Sequence, residues 1–439
     1  MEDIKEIEKK YVMKSWSFQT GYEPLMIESA KGSHFSDVNG KKYLDFSAQL
    51  MCTNIGHSNP AVVEAMYNQA KKISYSSPGF GAEARARLAE KVASVAGNNF
   101  RKTFFSTSGT EANEAAVKAA KWYTGKFKIL SRYRSYHGST AVSMMLTGDP
   151  RRLPAEPGYP GIVHIPDCYC YRCPFKKEYP GCDVLCARYV GDLIDMEGSV
   201  AALVVEPVVG SNGILVPPKE YMKVLREICD EKNVAFVADE VMAGFGRCGK
   251  WFAMQLFDVE PDIYTMAKGL TSGYVPLGAT TFSNAISDFF NDHMFTHGHT
   301  YAGHTLACAV GLASFDIYNK ENLIEGAAEK GKYLMKRLAE LKDHKSVGDV
   351  RGVGLFAGIE LVKNKKTKEP AAGRETKLSR EPTIPAKVVS EAMKNGVYVI
   401  QMITTLIIAP PLVITKEEID EGVNVLDKAL SIADAVCVE

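Results

Sequence analysis

The chemistry in this chain concentrates in three short stretches. In Tyr264-Thr-Met-Ala-Lys268-Gly-Leu270 a lysine follows an apolar run and precedes a glycine-rich turn reaching Gly278. Most lysines are surface charges, but an amine in apolar surroundings has a lowered pKa and acts as a nucleophile or forms a Schiff base. In Val237-Ala-Asp239-Glu240-Val241 a carboxylate stands at the C-terminal end of an apolar strand, the edge where open α/β sheets bind ligands. Buried there, Asp239 needs a cationic partner to stay ionised, and a protonated pyridine nitrogen would serve; it could equally cap a turn. In Ser106-Thr-Ser-Gly-Thr-Glu-Ala-Asn-Glu-Ala115 a strand-like run at 102–105 enters a Ser/Thr/Gly turn, and a helix is expected from about Glu111 through Ala120. Unpaired N–H groups at a helix start, with hydroxyls and a glycine, make a phosphate cradle, though Ser and Thr are also ordinary caps. Each stretch alone has a bland reading. Together they are the parts a pyridoxal phosphate site requires: a lysine for the imine, an aspartate for the ring nitrogen, a cradle for the phosphate.

These groups need a scaffold that brings strand ends to one edge. From about 61 to 320 short apolar runs alternate with helical patterns. Ala201-Ala-Leu-Val-Val205 and Val234-Ala-Phe-Val-Ala238 read as buried strands around an amphipathic helix at 219–232, entered through Pro217-Pro218. Strand–helix–strand order with continuous apolar strands predicts an α/β fold, a mainly parallel sheet flanked by helices. Residues 1–60 carry strand pieces and an Asn39-Gly40 hairpin signal. Residues 321–439 carry a helix at 323–342, strand signals at 354–361, a Lys-rich stretch at 363–380 that reads as a surface loop, and a terminal helix at 417–435. Both chain ends are therefore expected to build a small α+β domain beside the large one.

The chain has 439 residues, room for two or three packed units with a large core. Its 52 basic and 52 acidic residues cancel, so nothing steers it to nucleic acid or a lipid surface. Residues 1–10 are charged, and no apolar run has the length of a membrane span, which makes a cytoplasmic protein the expectation. Gly244-Phe-Gly246-Arg-Cys-Gly249 matches a dinucleotide fingerprint, but it lies several residues past its strand and opens no long helix. A nicotinamide-dependent oxidoreductase is thus a remote alternative.

At these residues the sequence resembles the class III aminotransferases, the fold type I family of pyridoxal-phosphate enzymes that includes ω-amino acid transaminases. The landmarks run through almost the whole chain: Asn54-Ile-Gly-His57, Thr107-Ser-Gly-Thr-Glu-Ala112, Ser135-Tyr-His-Gly138, Val205-Glu-Pro207, Asp239-Glu-Val241, Gly244-Phe-Gly-Arg247, Ala267-Lys-Gly-Leu270, Pro276-Leu-Gly-Ala279 and Thr300-Tyr301. The resemblance implies that Lys268 is the Schiff-base lysine and proton shuttle, and that Asp239 partners the pyridine nitrogen. It implies Val241 on one ring face and Tyr136 on the other, with His137 beside it, although Tyr136 could also be core. Ser108, Gly109 and Thr110 match the phosphate cradle, Glu206 a supporting carboxylate near O3′, and Thr300 a phosphate ligand given by a second subunit. A homodimer with shared sites follows. Trp16 lies where the substrate pocket is often walled, or is a packed aromatic of the small domain.

The departures bear on substrate. Members using ornithine or 4-aminobutyrate often carry a Glu five residues past the Glu-Pro pair; here it is Ser211. Many place an Arg three residues before the late Pro-Pro; here it is Ile407. An anionic substrate still wants a fixed guanidinium, and Arg247, Arg134 and Arg351 are the candidates, with Arg247 foremost. A short ω-amine with its own anion, such as taurine or β-alanine, is the expected donor, and 2-oxoglutarate or pyruvate the acceptor; the chain is similar to taurine-type members. Alternatives are 4-aminobutyrate, ornithine or a diamine, or a same-fold aminomutase or racemase.

Five of the ten cysteines, Cys168, Cys170, Cys173, Cys182 and Cys186, crowd an insertion at about 166–188. Thiolates could hold zinc or an iron–sulfur cluster, but the spacing matches no standard finger, and Tyr169, Tyr171, Phe175 and Tyr179 could pack the loop unaided; no metal is assigned. Borohydride treatment, digestion and mass spectrometry are expected to find a pyridoxyl adduct on Lys268; an unmodified Lys268 peptide removes the assignment.

Overall fold

A computed structural model describes residues 3–438. The central sheet has seven strands: β4 (Phe100–Ser106), β5 (Lys128–Arg132), β6 (Ile162–Ile165), β7 (Val200–Val205), β8 (Ala235–Asp239), β9 (Ile263–Met266) and β10 (Gly278–Ser283), ordered β4-β10-β9-β8-β7-β5-β6. The strands β9, β8, β7, β5 and β6 pair in parallel, and β10 is antiparallel to both its neighbours, so β10 alone is reversed. Consecutive residues send side chains to opposite faces. Ile129, Val204 and Val237 join one buried cluster while Leu130, Val205 and Phe236 join another. That is why the strands read as unbroken apolar runs. Helix Gly109–Thr124 covers one face with Ala112, Ala116, Val117 and Ala120 buried; Tyr221–Lys232 lies on the other.

The two chain ends supply the strands of two further sheets. Ahead of the central sheet run β1 (Ile27–Lys31), β2 (His34–Asp37) and β3 (Lys42–Asp45), with the hairpin of Asn39-Gly40 between the last two and Gly40 at φ 79°. After it come β11 (Val347–Val353), β12 (Phe356–Asn364), β13 (Glu369–Pro370), β14 (Val397–Tyr398), β15 (Ile400–Met402) and β16 (Thr405–Ile408). β14 pairs in parallel with β3, and β11-β12-β16-β15 form an antiparallel sheet extended by β13. Phe46 ties these pieces together. Its N–H donates to Tyr398 O at 2.9 Å, its carbonyl accepts from Ala409 N at 3.0 Å, and its ring packs against Gly422 of helix Lys416–Asp434. A Cβ on Gly422 would come within 2.6 Å of that ring, so the helix approaches through a residue with no side chain.

Most expected elements appear within a few residues of their positions. Helix 111–120 starts earlier, at Gly109, because Ser108 caps it. The stretch 363–380 departs from its reading as a surface loop. Ala371 and Ala372 are buried, and the 3-10 turn Arg374–Leu378 packs on the turn Pro150–Ala155. A Lys-rich composition hides this because lysine stems pack while their ammonium ends stay polar. Among the described residues no helix is long and apolar enough to cross a membrane.

Phe46→Ala should cost about 3–5 kcal/mol, since a fully buried ring is lost where three segments meet. A urea midpoint that does not fall would show that Phe46 does not tie these segments.

Candidate active site

The C-terminal ends of the parallel strands collect the polar groups. β4 leads into Thr107–Thr110, β5 into Arg132–His137, β7 into Glu206, β8 ends at Asp239, and β9 leads through Ala267 to Lys268. This edge gives each strand's departing loop to a common crevice.

Asp239 is buried, and hydrogen-bonding groups from three segments surround its carboxylate. Its Oδ2 accepts from Asn113 Nδ2 at 2.8 Å and lies 2.7 Å from His137 Nδ1; its Oδ1 accepts from Val241 N at 3.0 Å. A carboxylate has about four acceptor sites, so one remains on Oδ1. Asn113 is held in turn, donating to His137 O at 2.8 Å and accepting from Thr265 Oγ1 at 2.7 Å. Asn113 and Thr265 escaped the sequence reading. Their signal was a buried-face amide in an alanine-rich helix and a hydroxyl in an apolar strand. His137 Nε2 is buried with no hydrogen-bond partner among the described residues.

Helix Gly109–Thr124 presents its N-terminus to this edge. Ser108 caps it, its Oγ accepting from Glu111 N at 3.3 Å, and Thr110 Oγ1 accepts from Ser139 N at 2.7 Å. Both hydroxyls thus do the work of caps and braces, while the first-turn amides have no partner within the helix, as an anion site requires. Gly109 is the point of closest approach: a Cβ there would lie 2.8 Å from Val241 Cγ2 and 3.5 Å from Ala267 Cβ. Thr107, Ser108, Ala267, Lys268, Thr271 and Gly273 line one cleft of about 290 Å³.

Lys268 sits in the left-handed region at φ 42°, and its Nζ donates to Leu50 O at 2.9 Å. Burial of the amine lowers its pKa from the ordinary lysine value; Cys52, Asp239 and Glu206 oppose that less strongly. Glu206 is buried, with Oε1 accepting from Tyr136 N at 3.1 Å and Oε2 from Gly210 N at 2.7 Å, and burial raises its pKa. A cleft with a helix start, a buried carboxylate with accepting capacity left, and a lysine of lowered pKa fits a phosphorylated, ring-nitrogen aldehyde cofactor.

Beyond the cleft stands a group the sequence reading missed. Arg151, buried, lays its guanidinium 3.9 Å from the Tyr136 ring centroid and 5.5 Å from that of Trp16, and the two rings meet edge-on at 6.3 Å. Its Nε donates to both Asp149 oxygens at 3.0 and 2.9 Å; Nη2 bonds Asp149 and, at 3.2 Å, Ser211 Oγ. Nη1 has no hydrogen bond to the described residues. Its one sequence signal was Asp149-Pro150, a cap that fixes the turn carrying it. Trp16 is brought to this pocket and stays 59% exposed.

The arginines expected to grip an anion do not. Arg247 is fully buried, its Nη1 donating to Leu355 O at 3.0 Å and Pro410 O at 2.5 Å, its Nη2 to Asn54 Oδ1 at 2.8 Å. It joins the turn after β8 to Asn54 and to the chain at Leu355 and Pro410. Arg351 spans Gly213 O, Ile214 O, Asp349 and Glu360, and Arg134 lies over Tyr169 beside Asp167. Ile407 is buried among apolar side chains. Thr300 is exposed and absent from the cleft lining of its own chain. The Gly244–Gly249 stretch is a buried turn whose Gly246 and Gly249, both at positive φ, press on Ile324, Leu412 and Ala328.

The cysteine insertion packs as a brace. All its thiols are free, and Cys170, Cys173, Cys182 and Cys186 line one small cavity. Among the described residues no group of three or more His, Cys, Asp or Glu side chains is arranged to hold a metal ion. The segment is held instead through Tyr169 and Arg172, which both bond the buried Glu360 of β12.

Aminotransferase class-III is the family that matches residues 17–430. The chain is 35% identical to the taurine–pyruvate aminotransferase of Bilophila wadsworthia, covering 97% of this chain and 96% of that one. It is 36% identical to the leucine/methionine racemase of Thermococcus litoralis over 93% and 91% of the two chains. The taurine:2-oxoglutarate aminotransferase of Bifidobacterium kashiwanohense, solved with pyridoxal phosphate and glutamate, superposes with a TM-score of 0.94 at 38% identity, covering 99% and 98%. The chain belongs to the class III aminotransferases and has their fold type I architecture. It is accordingly a pyridoxal-phosphate-dependent transaminase.

Glu240, next to Asp239, tests the burial argument. Its Oε1 accepts from Met254 N at 2.8 Å, its Oε2 has no partner among the described residues, and burial pushes its pKa up from 4.5 to about 8. The folded protein then holds a proton that the unfolded chain has lost. This contribution to stability is full below about pH 4.5 and is lost as pH rises towards about 8. Glu240→Gln should therefore gain stability over the parent as pH rises through that window; a difference in urea midpoints that stays flat contradicts it.

Proposed function

We propose that this enzyme transfers the amino group of a short ω-amino acid, taurine or β-alanine in type, to a keto acid, and that it does so as a homodimer. The observation that carries the donor class is Arg151. It is a buried guanidinium whose Nη1 has no hydrogen-bond partner among the described residues, and it is fixed between Tyr136, Trp16 and Asp149. A fixed guanidinium recognises a carboxylate or sulfonate, and the relatives named for taurine are consistent with that.

When bound, the cofactor supplies an electron sink for the carbon losing its proton. Lys268 is the residue that would hold it covalently and would move the proton at Nζ; its lowered pKa makes a neutral amine accessible for both tasks. Asp239, locked by Asn113 and His137, keeps the ring nitrogen protonated. Gly109 and Thr110 amides, with Ser108, receive the phosphate. Val241 and Tyr136 flank the ring, and Glu206 orders the loop bearing Tyr136. Thr300, exposed and outside its own cleft, is assigned to the neighbouring subunit's phosphate. A racemase at similar identity makes isomerisation of a single substrate the second reading.

The test is a donor panel of taurine, β-alanine, 4-aminobutyrate, putrescine and n-propylamine, with 2-oxoglutarate or pyruvate. The parent should prefer short anionic donors, and in Arg151→Leu the kcat/KM ratio of β-alanine to n-propylamine should drop about ten- to a hundredfold. An unchanged ratio rejects Arg151 as the receiver; isomerisation without any keto acid would favour the racemase reading.

A further inference from the structure

On the turn packed against the one carrying Arg151 stands a second cation, with no carboxylate at ion-pair distance among the described residues. Lys377 stands in the turn Arg374–Leu378, half-buried, where that segment packs on the turn carrying Arg151. An ammonium has three donors and no acceptor. The one hydrogen bond of Lys377 to the described residues is to Met402 Sδ, at 2.8 Å, a weak thioether acceptor at the end of β15. No carboxylate lies within ion-pair distance of its Nζ among the described residues, whereas Arg151 has Asp149 on two of its nitrogens. Burial, followed by the field of Arg151, lowers the Lys377 pKa to about 8, with Asp149 opposing. A partly desolvated cation without a counter-ion is costly unless a ligand supplies the missing charge.

We infer that Lys377 is a specificity-determining residue of the acceptor half-reaction: it receives the carboxylate farther from the keto carbon of a dicarboxylic 2-keto acid, while the nearer one meets Arg151. This rests on Arg151 facing the substrate as proposed above. The two cations then divide the substrates by charge. A donor with one anion is held by Arg151 alone. A dianionic acceptor such as 2-oxoglutarate engages both, and a monocarboxylate such as pyruvate leaves Lys377 unmatched. Asp149 already neutralises Arg151, so the uncompensated charge that selects the second carboxylate belongs to Lys377.

The experiment compares Lys377→Met and Lys377→Arg with the parent holoenzyme, loaded as the amino form. It reads kcat/KM for 2-oxoglutarate divided by that for pyruvate, a ratio in which general damage cancels. Lys377→Met should lower the ratio about ten- to a hundredfold, and Lys377→Arg should recover most of it. A ratio within about threefold of the parent in the Met variant, a parallel loss for both acids, or an Arg variant no better than Met overturns the inference. If Lys377→Met does not fold, Lys377→Gln carries the same comparison. The donor ratio of β-alanine to n-propylamine, measured on the parent, separates the two readings. With that anion preference present and the acceptor ratio unmoved, only the role of Lys377 fails; with the preference absent, the underlying assignment of Arg151 fails.

Discussion

A carboxylate buried at the end of a parallel strand is unstable unless donors surround it, and the rest of this site follows from how Asp239 is satisfied. Asn113 reaches it from the helix that covers the sheet, His137 from the loop after β5, and Val241 from its own turn. Asn113 is fixed by Thr265 on β9, the strand that two residues on delivers Lys268. The acid and the strand that delivers the amine are therefore tied into one hydrogen-bonded unit drawn from the covering helix, the loop after β5, β8 and β9. Displacing any member strands a buried polar group, which costs about 1–3 kcal/mol.

Close approach is the second constraint. The helix that offers its N-terminus must pass Val241 and Ala267 at a distance no Cβ permits, and Gly109 makes that passage. Ser108 and Thr110 spend their hydroxyls on ordering the turn, which leaves the backbone amides as the anion-facing donors.

The cation proposed to receive the substrate's charge sits on different elements. Positions where the resemblance leads one to expect charged gates hold Ser211 and Ile407, and Ile407 is sealed in an apolar cluster. The cation comes from the turn after Asp149, braced by Ser211 itself, and the segment 374–378 closes over it. A pocket polarised this way needs only one buried carboxylate, Asp149, to keep Arg151 in place between two aromatic rings.

Local pattern was enough for the elements that bear the chemistry. Apolar strands of the central sheet, the Ser/Thr/Gly helix start, the strand-end Asp239 and the Lys268 after β9 are all short-range signals, because strand burial and helix capping act over a few residues. What pattern could not resolve was the destination of long polar side chains. Arg247, Arg351 and Arg151 look alike in sequence; Arg247 and Arg351 bond backbone carbonyls and side chains of distant segments, while Arg151 is held by Asp149 between two aromatic rings. Asn113, Thr265 and Lys377 were silent for the same reason. Their partners lie 126, 152 and 25 residues away along the chain, and only packing brings those groups within hydrogen-bonding distance.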